Sequence, residues 1–134
     1  MTVAAIKMAR NENELSKIIL DAAFRVHSAL GPGLLESAYE ACLAYDLRSE
    51  GLNVLTQVPV PLIYREIKLE IGYRLDPLVE DLVVVELKSV DALAPIHQAQ
   101  LLSHLKLSGK RLGLLINFNV LHLRDGIKHV VNGL

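Results

Sequence analysis

The sequence predicts an α/β fold, a mixed β-sheet core flanked by helices, in the order α-α-β-β-β-α-β-β. Three observations carry this. Two N-terminal stretches place apolar residues at helical spacing. The middle of the chain then switches to alternating and to continuous Val/Leu runs, which read as strands. A further helical stretch separates the densest of those runs from two more, the pattern of helices packed on a sheet. The 134 residues amount to one domain, expected over 11–134 behind a flexible N-terminal tail at 1–10.

Asn11 with Glu14 three residues on reads as a capping box. Leu15, Ile18, Ile19, Ala22, Ala23, Val26 and Leu30 follow at helical spacing, so a helix is predicted over about 12 to 30. Gly31-Pro32-Gly33 ends it, because Gly accepts a positive φ and Pro cannot continue the ladder. A second helix is predicted from about Leu34 to Glu50, closed by Gly51, with Leu35, Ala38, Cys42 and Tyr45 on its apolar side and Leu43 as a further candidate. Val54, Val58, Val60, Leu62 and Ile63 suggest extended chain, and Pro59 and Pro61 restrict it to an edge or irregular strand. Leu69, Ile71, Tyr73 and Leu75 have period two. Glu80-Asp81 marks a tight turn, and Leu82 to Leu87 is a strand apolar on both faces until Glu86. Pro95 opens a third helix to about Ser108, with Ile96, Ala99, Leu102, Leu105 and also Leu101 as apolar positions, and Gly109 stops it. Leu112 to Phe118 and Ile127 to Val131 are the last two strands.

Composition narrows the function. Hydrophobic residues make up 51% of the chain, which excludes disorder as the main state. The chain has 26 leucines against six aromatic residues, which argues against a platform of stacked rings for single strands. A net charge of −1 excludes a nonspecific basic coat, so any nucleic-acid contact needs a local patch. A single cysteine, Cys42, excludes an internal disulfide and a Cys-based zinc site. No signal-peptide pattern and no span-length apolar run are present, so a soluble cytoplasmic protein without membrane contact is expected. The apolar fraction hints at a subunit interface, and a homodimer is among the expected partners.

The chemistry concentrates between Asp76 and Lys88. Val83-Val84-Val85 drives a strand into the core, which then carries Glu86 and Lys88 on one face, since i and i+2 project together. A hairpin centred on Glu80-Asp81 pairs position 76 with 85, so Asp76 and Glu86 become near neighbours. Two adjacent carboxylates repel unless a proton or cation lies between them, and a hard divalent ion satisfies both. Ion pairing of Glu86 with Lys88, or of Asp76 with Arg74 or Lys88, is the competing arrangement.

Asp76, nine intervening residues and Glu86-Leu87-Lys88 resemble the signature of the PD-(D/E)XK nuclease superfamily. Gly33-Leu34-Leu35-Glu36-Ser37-Ala38-Tyr39 resembles the motif of the GxxExxY protein family within it. Val79-Glu80-Asp81, Val85-Glu86-Leu87-Lys88, Gln100-Leu101-Leu102-Ser103 and Gly113-Leu114-Leu115-Ile116-Asn117-Phe118 are similar to its other blocks. The resemblance implies a restriction-endonuclease-like fold and a nuclease acting on DNA or RNA. It implies Mg²⁺ or Mn²⁺ held by Asp76, Glu86 and the main-chain carbonyl of Leu87, with Glu36 as an additional acid, as in the exonuclease-like branches. Lys88 is implied to orient the attacking water or stabilise phosphate charge, and Gln100 to hydrogen-bond near the site.

Several residues retain a second reading. Glu36 would be the N3 residue of a helix capped by Gly33, a structural role that can coexist with the first. Tyr39 either orders Glu36 or packs. His104 stands where the related branches carry Tyr, and a helix His is commonly a partly exposed polar residue. Pro77 implies an edge, a bulge or a strand end beside Asp76. Lys106, Lys110, Arg111, Arg124 and Lys128 either form a phosphate-binding rim or are solvated charges. The alternatives to a nuclease are a catalytically silent nucleic-acid- or protein-binding module of the same fold, and another type of metal hydrolase.

Overall fold

The computed structural model describes residues 10–134; apart from Arg10, the expected tail lies outside the described residues. Helices α1 (Glu12–Leu30) and α2 (Glu36–Ser49) precede five strands: β1 (Val54–Leu55), β2 (Val58–Tyr64), β3 (Ile67–Leu75), β4 (Leu78–Val79) and β5 (Val83–Lys88). Helix α3 (Pro95–Ser108), β6 (Leu112–Asn117), a 3-10 turn at Leu123–Gly126 and β7 (Ile127–Val131) complete the chain. A five-stranded mixed sheet has the order β1-β4-β5-β6-β7, with β5 and β6 parallel and the other neighbours antiparallel. Strands β2 and β3 form a separate antiparallel hairpin. The architecture agrees with a restriction-endonuclease-like fold. The three extended segments expected between the second and third helices are divided more finely. The first breaks at Thr56-Gln57, where Gln57 takes a φ of 54°, and β4 adds two residues after Pro77.

Alternation along β5 sorts the core. Val83, Val85 and Leu87 join Leu15, Ile19 and Leu43 from α1 and α2 on one face of the sheet. Val84 points the other way, to Leu101 and Leu105 of α3 and to Val60 and Leu75 from the base of the hairpin. Gly113 on β6 lies under α3, where a Cβ would stand 2.9 Å from the Leu101 side chain, so the bare backbone allows the close approach.

The ends of α1 form as its local signals require. The Asn11 side chain accepts from the Glu14 N–H at 2.8 Å, and Glu14 accepts from the Asn11 N–H at 3.1 Å. On β2, Pro61 falls at a register shift between Val60 and Leu62, where the missing N–H costs no ladder bond.

The helix faces differ from expectation in two places. In α2 the buried row is Tyr39, Leu43, Ala44 and Leu47, whereas Leu35 is 76% and Tyr45 72% exposed. Tyr39 sets this rotation. Its ring stacks on Phe118 with centroids 4.5 Å apart. Its hydroxyl donates to the Gly31 carbonyl at 2.6 Å and accepts from the Leu34 N–H at 3.1 Å, so the polar end is satisfied when buried. In α3 only Leu101 and Leu105 are buried, and Ile96 and Ala99 face outward. The helix N-terminus is closed by His97, whose Nδ1 accepts from the Ala94 N–H at 3.0 Å.

Candidate active site

Two features of β5 create the site. Strand β4 pairs with Val83 and Val84 and goes no further, so the last residues of β5 have a ladder neighbour on the β6 side. The hairpin turn is one residue longer than the sequence spacing suggested: Val79 pairs with Val83, and Glu80 and Asp81 both take positive φ. The Val85 N–H donates to the Pro77 carbonyl at 3.0 Å, which carries the same register one residue further. Continued once more, it sets Asp76 opposite Glu86. Pro77 lies at a strand end, between β3 and β4, and its peptide bond with Asp76 is cis.

A cavity of about 210 Å³ opens at this point. Asp76, Glu86 and Lys88 line it, together with Glu36 and Glu40 from α2 and His104 from α3. Leu87 and Arg74 also contribute to its wall. Glu36 is drawn in by the end of β5: its Oε1 accepts from the Ser89 N–H at 3.3 Å, and Ser89 Oγ donates to the Leu34 carbonyl at 2.6 Å. Glu36 is the first residue of α2, and Leu35 is the N-cap; the N3 position behind a Gly33 cap is therefore corrected. The difference follows from Tyr39, which holds Gly31 and Leu34 in the preceding turn. Tyr39 packs on Phe118 and ties down the turn that precedes Glu36, without a hydrogen bond to Glu36 itself.

The competing ion pairs do not form among the described residues. Neither Arg74 nor Lys88 lies within 4.0 Å of a carboxylate there. Asp76 Oδ2 accepts from Gln57 Nε2. Glu86 Oε1 lies 3.5 Å from His104 Nδ1. Asp76 Oδ1 and Glu86 Oε2 are buried without a hydrogen-bond partner. Two such oxygens on one wall are the donor type that a hard cation takes, and they fit a divalent ion. As the side chains stand, no group of three or more His, Cys, Asp or Glu among the described residues converges on a metal position. A hydrated divalent ion such as Mg²⁺ is commonly held through one or two carboxylates, with water completing its shell.

The sequence matches the PD-(D/E)XK nuclease superfamily over residues 13–130. The chain belongs to that superfamily. No curated protein and no solved structure matches it. Members of the PD-(D/E)XK superfamily typically use divalent metals, in keeping with the two orphaned oxygens.

Gln100 is placed apart from the other site residues. It lies on α3 in a second groove that shares Glu86, Lys88 and His104 with the acidic cavity. Two members of the expected basic rim lie away from the site. Lys110 pairs with Asp81 at 2.9 Å, and Arg111 lies 3.9 Å from Glu12. Both flank the start of β6, the end of the parallel pair opposite Lys88, because Val83 faces Leu112 while Lys88 faces Asn117.

Glu40 is the site residue that sequence reasoning missed. It is four residues from Glu36, one helical turn along, and that spacing was the available signal. Burial, the neighbouring Asp76 carboxylate and the charge of Glu36 raise its pKa from 4.5 to about 7. Arg74, Lys88, Glu86 and His104 line the same cavity. The folded chain therefore binds more protons than the unfolded chain between these values. The stabilisation from protonated Glu40 is present below about pH 4.5 and is lost as pH rises through about 7. Glu40→Gln should remove that loss. In chelator, the variant gains on the wild type by roughly 1–2 kcal/mol between pH 4.5 and 8, a figure reduced for partial solvent exposure. Urea unfolding at both pH values checks this, and a stability difference that does not change with pH contradicts it.

Proposed function

We propose that this protein is a divalent-metal-dependent phosphodiesterase that hydrolyses DNA or RNA with water as the nucleophile. The observation that carries the reading is the pair of buried, unpartnered oxygens, Asp76 Oδ1 and Glu86 Oε2, beside Lys88 and Arg74, which have no carboxylate partner among the described residues. Charge supports it. Four carboxylates share the cavity with Arg74 and Lys88, so without a cation it repels a phosphodiester.

Asp76 and Glu86 would hold Mg²⁺ or Mn²⁺, with Glu36 and the Leu87 carbonyl as the additional ligands implied by the family pattern. When bound, the ion would lower the pKa of a coordinated water and neutralise phosphate charge. The chain's own groups do the rest. Lys88 donates to the phosphate or the attacking water and stabilises the charge that develops. Arg74 offers a planar fork that suits two phosphate oxygens. His104 holds the orientation of Glu86 from the α3 side. The GxxExxY segment supplies Glu36 and the Tyr39 anchor that aims it.

The test is twofold. Mg²⁺ or Mn²⁺ should raise the Tm of the wild type, with about 2.7 kcal/mol expected at a hundredfold excess over Kd, on the order of 10 °C here. Glu86→Ala should abolish that rise. The wild type should also cleave single- or double-stranded DNA or RNA in a metal-dependent manner. No metal shift and no cleavage across these substrates would reject the proposal in favour of a silent binding module.

A further inference from the structure

We propose that the groove between α3 and the β2–β3 hairpin is a slot for one unpaired nucleobase, so that the substrate reaches the site as a single strand or a frayed end. The inference rests on the phosphodiesterase reading and specifies its substrate class.

The groove measures about 490 Å³, within the range of roughly 300–1,000 Å³ usual for small-molecule sites. It continues directly from the acidic cavity, because Glu86, Lys88 and His104 line both. A phosphate at Lys88 thus has this groove beside it. Away from the shared residues its character changes. Tyr73 from β3 and Ile96, Ala99 and Leu107 from α3 present apolar surface. Tyr73 is 39% and Ile96 58% exposed, which leaves a ring and an aliphatic side chain available to a planar partner. The Tyr73 ring lies 5.7 Å from the His104 ring at an angle of 55°, so the aromatic wall adjoins the residue that contacts Glu86. Gln100 and Ser103 add an amide and a hydroxyl, the groups that pair with a base edge. Apolar flanks, one aromatic ring, a few hydrogen-bonding groups and an adjoining phosphate position are together what a nucleotide requires.

The same geometry disfavours intact duplex. A base inside a duplex has its faces stacked and its edge paired, and must be extruded before it can enter such a slot. The compensation that duplex binders draw from extended basic surface is small here. Net charge is −1, and Lys110 and Arg111 lie near carboxylates at the far end of β6. The scarcity of aromatic residues excludes a platform of several stacked bases but leaves room for one slot built on Tyr73.

The experiment measures binding by fluorescence anisotropy, with the full chain in Ca²⁺. Three probes are used: a labelled single-stranded DNA, its blunt duplex, and a strand of equal length made of abasic residues. The wild type should bind the base-bearing strand at least tenfold tighter than either other probe. Tyr73→Ala and, independently, Ile96→Asp should weaken binding of that strand about ten- to a hundredfold while leaving the abasic strand unchanged, and Tyr73→Phe should restore it. Lys88→Met should weaken all three probes alike. Equal affinity for base-bearing and abasic strands, or insensitivity to both groove substitutions, would overturn the slot while leaving the phosphodiesterase reading in place. Failure of the wild type to bind any probe would overturn the slot, and the metal shift and cleavage assays then decide the phosphodiesterase reading separately.

Discussion

Lys88→Met retains the metal-dependent rise in Tm and loses cleavage by about 10²–10³-fold, whereas Glu86→Gln loses both. The magnitude is that of removing one preorganised donor from a developing charge. The separation follows from where the two side chains stand. Glu86 Oε2 is a buried oxygen without a partner, and an amide in its place has one oxygen fewer and no charge for a cation. Lys88 has no carboxylate within ion-pair distance among the described residues, so its removal leaves no buried charge uncompensated. Loss of the metal shift in Lys88→Met would mean that Lys88 supports the carboxylates and is not a phosphate ligand. Thermal melts and initial cleavage rates on the same preparations decide between these outcomes.

Tyr39→Ala destabilises the protein by about 3–5 kcal/mol, the cost of removing a buried aromatic ring from a packed core. Tyr39 is fully buried and stacked on Phe118, so the deletion opens a cavity between α2 and the end of β6. Tyr39→Phe keeps the ring and should cost about 1–3 kcal/mol, because the Gly31 carbonyl and Leu34 N–H lose their shared hydroxyl. The Phe variant also has a functional readout. The loop that delivers Glu36 loosens, so its metal-dependent Tm rise should be smaller than that of the wild type. Urea unfolding gives the first quantity, and a metal titration of Tm gives the second. A Phe variant with wild-type metal response would show that Tyr39 packs without positioning Glu36.

Local signals specify their elements directly. Helix α1 begins and ends where its capping box and its Gly-Pro-Gly segment place it. Strand β5 is apolar on both faces up to Glu86 because it lies between two helical layers. The interval from Asp76 to Glu86 placed both carboxylates at one cavity despite a turn one residue longer than expected, since a change of one position still leaves the two strands adjacent. The two helix faces that depart from the periodic pattern do so for one reason. The apolar residues of α2 permit more than one buried face, and Tyr45 lost to Tyr39 because Phe118, 79 positions away, provides a stacking partner. Ile96 and Ala99 fit a helical stripe, but they flank a groove that exists only once the hairpin has docked beside α3.

The sequence by itself determined the succession of elements, the strand that carries Glu86 and Lys88, and the superfamily to which the chain belongs. Caps, periodicity and motif spacing act within a few residues and survive without knowledge of the partner surface. The tertiary structure decided which side of each helix is buried, that Glu40 joins Glu36 at the acidic cavity, that Lys110 and Arg111 stand at the far end of the sheet, and that Tyr73 faces His104. Those outcomes depend on contacts between segments remote in the chain, where burial and pairing with a distant neighbour outweigh local preference.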